Sequence, residues 1–173
     1  MKVLFMSDTH DNVEIAKDIA KVFEEKGAEA FIHCGDIVSG KMVEALKDAG
    51  LKNGIFIQGN MDKPNLEELK KAIENAGFQF VGENSEIKFE DEENKDNFLA
   101  HVTHGDNALI IEEAVRSGKF EFIFHGHTHK KNVKSEGKTT IINIGALSKD
   151  TPEDEREVLI LDTVIKKFEF VKV

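Results

Sequence analysis

Three times in its first 77 residues the chain repeats one unit: a short apolar run, a small polar cluster, then a stretch with helical spacing. The first run, Lys2–Met6, closes on Ser7-Asp8-Thr9-His10. Val13, Ile15, Ala16, Ile19, Ala20, Val22 and Phe23 then recur at the spacing of one helix face. Asn12 is placed to cap that helix and Gly27 to stop it. The second run, 28–34, closes on Gly35-Asp36 and leads to a helix over Gly40–Asp48. The third, 54–58, closes on Gly59-Asn60-Met61-Asp62; Pro64 then sits near the start of a helix that ends at about Asn75, with Gly77 beyond. Alternation of this kind builds parallel strands with crossover helices. Ligands of such sheets bind beyond the carboxyl ends of the strands, so the three polar clusters are expected to meet in one crevice.

The second half changes character. Residues 85–90 and 97–103 are expected to pair as an antiparallel hairpin across the acidic run Glu90–Glu93 with Asn94, Lys95 and Asp96, read as a solvated turn. His104-Gly105 closes the second of these strands, and a helix over 108–116, stopped by Gly118, leads to Phe-Ile-Phe-His-Gly-His-Thr-His at 122–129. Its first four residues read as a buried strand ended by Gly126. His127 and His129, two apart, can leave that strand end in one direction. Short runs rich in β-formers follow at 132–135, 139–144, 158–162 and 166–171, with turns at Glu136-Gly137 and 149–156. Beyond that strand–helix alternation there is no internal sequence repeat, no linker divides the chain, and 173 residues suit one core, so a single domain over 1–173 is expected.

Composition removes several function classes. A formal net charge of −10 without a Lys/Arg cluster argues against a binder of nucleic-acid backbones. One cysteine, Cys34, cannot form an internal disulfide; it reads as a buried small hydrophobe. The apolar run before Ser7 is too short for a signal-peptide core, and no run approaches membrane-spanning length. The expectation is a cytoplasmic protein with no membrane partner.

Five clusters thus stand at strand ends: Asp8-Thr9-His10, Gly35-Asp36, Gly59-Asn60, His104-Gly105 and His127-Thr128-His129. Carboxylates, imidazoles and one amide oxygen form a set suited to Mn²⁺, Fe²⁺, Ni²⁺ or Zn²⁺. The absence of a thiolate cluster argues against a structural zinc. Seven candidate ligands, Asp8, His10, Asp36, Asn60, His104, His127 and His129, exceed what one ion needs alongside water. Two ions sharing a bridging carboxylate fit better. Gly35, Gly59, Gly105 and Gly126 are expected to free the backbone for sharp turns beside these ligands. His33, His101 and His125, within strands, read as core groups or as hydrogen-bond partners of ligand carboxylates.

The order D-x-H, G-D, G-N, H-G, G-H-T-H resembles the calcineurin-like metallophosphoesterase superfamily, and it covers Met1 to about Leu147. The short chain, the Ser-Asp-Thr-His opening and the Gly-Asn-x-Asp variant resemble its compact bacterial and archaeal phosphodiesterase branch. That resemblance implies an α/β fold: two face-to-face mixed β-sheets flanked by helices in a four-layer sandwich. It implies that Asp8, His10 and His129 hold a first divalent ion, that Asp36 bridges, and that Asn60, His104 and His127 complete the second site. Manganese is the expected metal, with Ni²⁺, Fe²⁺ and Zn²⁺ as alternatives. A metal-bound hydroxide would then attack a small phosphodiester. Asp36, Asn60 and Asp62 are the candidate catalytic residues; Asn60, Met61 and His127 are the candidate substrate contacts.

Two positions depart from the wider family pattern. Phosphomonoesterase members carry histidine after Gly-Asn, where it can protonate a leaving group; this chain has Met61. Where the compact branch often reads N-P-G-S, this chain reads Asn143-Ile144-Gly145-Ala146. A retromer subunit shares this fold as a scaffold, so a weakly active or inactive metal-binding interaction protein is the rival reading. The intact ligand set favours the enzyme. A nuclease fits neither the acidic balance nor the short chain, and an assembly of identical copies is compatible with the sequence.

Overall fold

Lys2–Met6 forms β1 near the middle of a six-stranded sheet. The structure is a computed structural model that describes residues 1–90 and 97–173, so most of the expected acidic turn lies outside the described residues. Beside β1 run β2 (Ala30–His33), β3 (Gly54–Phe56) and β4 (Gln79–Phe80), all parallel. The crossovers are α1 (Ala16–Glu25), α2 (Gly40–Asp48) and α3 (Leu66–Asn75). On the other edge of β1, β10 (Glu157–Asp162) and β11 (Lys167–Lys172) add antiparallel strands.

The apolar run of β1 is continuous because both its faces are covered. Leu4 and Met6 pack into one cluster with Ile19, Phe23, Met42, Leu46, Leu69 and Ile73 of the three helices. Val3 and Phe5, on the opposite face, pack with Val102, Phe124 and Ile142 of the second sheet. Strand periodicity thus splits one hydrophobic run between two cores.

That second sheet has the order β5-β6-β7-β9-β8. β5 (Asn84–Phe89) and β6 (Phe98–Thr103) form the expected antiparallel pair. β7 (Phe122–His125) and β9 (Thr139–Asn143) continue in parallel, and β8 (Asn132–Glu136) closes the edge antiparallel to β9. α4 (Ala108–Ser117) lies on the outer face, where Ala114 packs with Phe120, Ile123 and Ile141. Gly118, in the left-handed conformation, ends it as expected. Helices, sheet, sheet and helix make four layers, the α/β sandwich expected from the sequence.

Two helix starts depart from the expected pattern. Asn12 does not cap α1: the helix opens with a 3₁₀ turn at Val13–Ile15, and the Asn12 amide donates instead to the Leu147 carbonyl at 2.8 Å. Pro64 likewise lies in a 3₁₀ turn, Lys63–Asn65, ahead of α3. β4 is two residues long and gave no periodic signal to read.

His101 is a core group, tilted against Phe120 with ring centroids 5.2 Å apart. Neither ring nitrogen has a hydrogen-bond partner among the described residues. Such an orphaned buried group costs about 1–3 kcal/mol. Burial lowers its pKa, outweighing the pull of Glu86. The unfolded chain therefore takes up a proton that the folded chain resists, and stability is lost as pH falls below the ordinary histidine value. His101→Phe is expected to raise the melting temperature at pH 7.5 by roughly 2–4 °C for each kcal/mol recovered. It should also lessen the loss of stability on going to pH 5.5. A variant that melts lower at both pH values would show that the ring has a partner after all.

Candidate metal centre

The five polar clusters lie at the carboxyl ends of β1, β2, β3, β6 and β7, and backbone bonds stitch them together. The amides of Asp8, His10 and Asp11 donate to the carbonyls of Gly35, Asp36 and Ile37 at 3.0, 3.1 and 3.2 Å. In the other sheet the Gly126 amide donates to the His104 carbonyl at 2.9 Å. The seam between the sheets is closed by the His127 amide, which donates to Asp8 Oδ2 at 3.0 Å.

Two groups of side chains result, and Asp8 stands in both. In the first, Asp8 Oδ1 lies 3.2 Å from His129 Nε2 and 3.8 Å from His10 Nε2. The two imidazole nitrogens are themselves 3.2 Å apart. In the second, Asp36 Oδ1 lies 3.4 Å from His104 Nε2, and Asn60 Oδ1 lies 3.1 Å from the same nitrogen. Asp36 Oδ2 points back to the first group, 3.6 Å from His10 Nε2. The His127 ring stands against that of His104, with centroids 5.1 Å apart.

These residues fit a divalent cation on three counts. Asp8 Oδ1 is buried and has no hydrogen-bond donor among the described residues. The ligand nitrogens converge instead of avoiding one another. The third count is tautomer: His104 Nδ1 lies 2.9 Å from the Cys34 carbonyl, which can only accept. Nδ1 therefore carries the proton, and Nε2 turns its lone pair to the crevice.

Electrostatics agree. Burial pushes Asp8 up, but His10, His104, Ser7 and the His127 amide together leave its carboxyl below the usual value. Burial also pushes Asp36 up, and His104, the Met61 amide and His10 bring it below. The Asp8 carboxylate holds the His10 pKa above its ordinary value against the opposing effect of burial. Burial lowers His104, but Asp36 and Asp8 more than restore it. The crevice keeps ionised carboxylates that attract positive charge.

The backbone here is under strain. Asp8, His10, Asp36, His127 and His129 have φ of 52°, 43°, 57°, 70° and 59°. Asp and His tolerate the left-handed region better than most residues; such strain still costs on the order of 1–3 kcal/mol per residue. The expected glycine turns divide into two kinds. Gly35 and Gly105 have φ of 99° and 101°. Gly59 and Gly126 do not need positive φ, and what requires glycine is close approach. A Cβ on Gly126 would overlap Ser7 Oγ and Asp8 Oδ2, and one on Gly59 would overlap Asp36 Oδ1.

The supporting histidines bond backbone groups and a threonine, and His33 is a buried core group, one of the two expected readings. His33 bonds no ligand carboxylate. Its Nε2 lies 2.9 Å from Thr9 Oγ1, and its Nδ1 accepts from the Gly35 amide at 3.2 Å. Burial lowers its pKa to about 3, so it stays neutral. His125 Nδ1 faces the Gly126 carbonyl at 3.1 Å. Asn143, first residue of the variant loop, braces the histidine turn by donating to the Gly126 carbonyl at 2.8 Å and to Thr128 Oγ1 at 2.9 Å. Sequence reasoning flagged the loop but not this role. Met61 is 48% exposed beside the crevice. Asp62 is not exposed at all and accepts three backbone N–H groups, so it has no surface from which to protonate a leaving group.

Carboxylates, imidazoles and an amide gathered at the strand ends of two sheets make a candidate divalent-metal site of the kind hydrolases use. The chain belongs to the calcineurin-like phosphoesterase superfamily, whose domain matches residues 1–166. A phosphodiesterase of Methanocaldococcus jannaschii is 31% identical over 150 residues, covering 84% of this chain and 83% of its own. The solved structure of an archaeal phosphodiesterase superposes over the full length of both chains with a TM-score of 0.82 and 26% identity. The E. coli phosphoesterase YfcE shares the fold over both full lengths, with a TM-score of 0.66 and 18% identity.

Gly126→Ala tests the close approach. The added methyl must displace Ser7 or Asp8, so metal affinity should fall at least roughly tenfold, the scale seen when residues behind a metal ligand are altered. Calorimetric titration with Mn²⁺ measures it. Unchanged affinity would mean that Asp8 is free to shift without leaving the site.

Proposed function

We propose that this protein is a metal-dependent phosphodiesterase with a two-ion centre. The observation that carries the reading is the placement of Asp36, whose two oxygens face different ligand groups, His10 on one side and His104 on the other. Asp8, His10 and His129 would hold one ion, Asn60, His104 and His127 the other, and Asp36 would be shared. Manganese suits this N/O donor set, with Ni²⁺, Fe²⁺ and Zn²⁺ as competitors. Bound there, the ions would acidify an attacking water and neutralise charge developing on the phosphoryl oxygens.

The rest falls to the chain's own side chains and backbone. His104 presents a lone pair of fixed tautomer, and the His127 amide orients Asp8. Asn60 contributes a neutral oxygen to the second group, which limits the negative charge facing an anionic substrate. Asn60, Met61 and His127 are the residues we place nearest that substrate. The scaffold alternative draws on shared architecture: vacuolar protein sorting 29 of Cryptosporidium parvum matches with a TM-score of 0.58 and 18% identity, a likeness of fold alone. The seven intact ligand positions support the enzyme. A chelator-stripped sample should lose hydrolysis of an aryl phosphodiester and recover it with Mn²⁺ or Ni²⁺. Full turnover without metal would end the reading.

Substrate class turns on Met61. A positioned general acid is worth roughly 10²–10⁴-fold when the leaving oxygen is basic, and a thioether has no proton to give. With Asp62 buried, no neighbour in that loop supplies one. Leaving groups that need little protonation should suffer least, and a diester brings one less negative charge than a monoester to an acidic crevice. Aryl phosphodiesters should therefore be hydrolysed with higher kcat/KM than alkyl monoesters, and Met61→His should raise monoesterase activity selectively. A wild-type preference for alkyl monoesters would sink this explanation.

A further inference from the structure

Asp62 is a wholly buried carboxylate that the chemistry above does not use. It gathers three amides: Gly59 and Asp36 both donate to Oδ2, at 2.7 and 3.1 Å, and Val38 donates to Oδ1 at 2.7 Å. Gly59 belongs to the loop that presents Asn60, whereas Asp36 and Val38 belong to the loop that presents Asp36. Asp62 itself lies in the Asn60 loop, so both of its oxygens tie that loop to the Asp36 loop, beside the Met61 amide, which donates to Asp36 Oδ1 at 2.8 Å. Val38 makes the need for this tie plain. Its φ is 81°, and a β-branched residue in that region is a genuine outlier. Such backbone persists only where its surroundings over-determine it. Here Asp62 holds Val38 from one side, while on the other the Asp11 carboxylate accepts from the Ser39 amide and hydroxyl at 3.2, 2.9 and 2.8 Å.

We propose that Asp62 is a positioning residue: it clamps the Asn60 loop to the Asp36 loop, holds Asp36 in its left-handed turn, and so sets the spacing between the two cation sites without touching cation or substrate. The proposal rests on the two-ion reading above. It explains why the position carries a carboxylate. A carboxylate only accepts, and all three of its partners only donate; an amide would turn an NH₂ group toward at least one of them.

The test is Mn²⁺ binding to the full chain, by calorimetry and by the electron paramagnetic resonance signal of a spin-coupled pair. Wild type should bind two ions and show coupling. Asp62→Ala, folded by circular dichroism, should bind the second ion at least roughly tenfold more weakly and lose the coupled signal. Asp62→Asn should fall between the two. Adding Val38→Gly to Asp62→Ala should restore most of the coupling, because glycine needs no clamp at positive φ; a merely structural loss would not be mended this way. Should Asp62→Ala not fold, Asp62→Asn carries the comparison. Folded variants with both affinities and the coupling unchanged would overturn the proposal, as would failure of Val38→Gly to restore any coupling. A wild type that binds one ion would instead refute the two-ion reading. The clamp would then stand or fall on whether Asp62→Asn weakens that single site.

Discussion

The centre exists because two sheets are held face to face with the carboxyl ends of their strands aligned. Phe5 of β1 and Phe124 of β7 stack across the inner core with ring centroids 4.0 Å apart. Three residues beyond each lie Asp8 and His127, joined by the amide-to-carboxylate bond across the seam. Two residues further, His10 and His129 bring their Nε2 atoms within 3.2 Å. The aromatic pair thus acts as a pin from which both ligand loops depart. The loops also share a local shape: Asp8 and His10 on one, His127 and His129 on the other, all have positive φ. Similar backbone on facing strands aims alternate side chains into the same space.

Much of this was legible before any coordinates. The strand and helix pattern came from periodicity, the meeting of the polar clusters from parallel topology, and the candidate ligands from polar clusters at strand ends together with a family resemblance. What escaped depends on which atoms meet across long separations. Asn12 carried a cap signal, yet the Leu147 carbonyl, 135 residues away, takes its amide. His33 is the buried core group it could be read as, but that its ring supports Thr9 and the Gly35 amide could not be read. Asp62 stands among the candidate catalytic residues, and its burial and three amide partners, which no sequence pattern announces, support the positioning role proposed above. Gly59 and Gly126 announced themselves as glycines, but the reason is crowding and not φ.

A local ledger explains why the site needs so much bracing. Five strained ligand residues, each costing on the order of 1–3 kcal/mol, would be ruinous if left unsupported in a protein of ordinary marginal stability. The hydrogen bonds that backbone N–H groups donate to Asp8 and Asp62, and the Asn143 brace, hold them, and each uses a buried polar group that would otherwise be a liability. Strain and support are spent at the same place. The loops stay preorganised for ions whose binding must not wait for them to fold.

His10 and His129 are separated by 119 residues in the chain and by a hydrogen-bond distance in space. Contacts of that sequence separation form late, since the closure of long loops comes before the reward. No fragment confined to one sheet contains the complete set. A cation can therefore lock the finished sandwich, adding stability in proportion to its occupancy, but it cannot act as a template for either layer. Once bound, it would fasten the first crossover unit to the central strand of the second sheet, so that the two layers would come apart together or not at all.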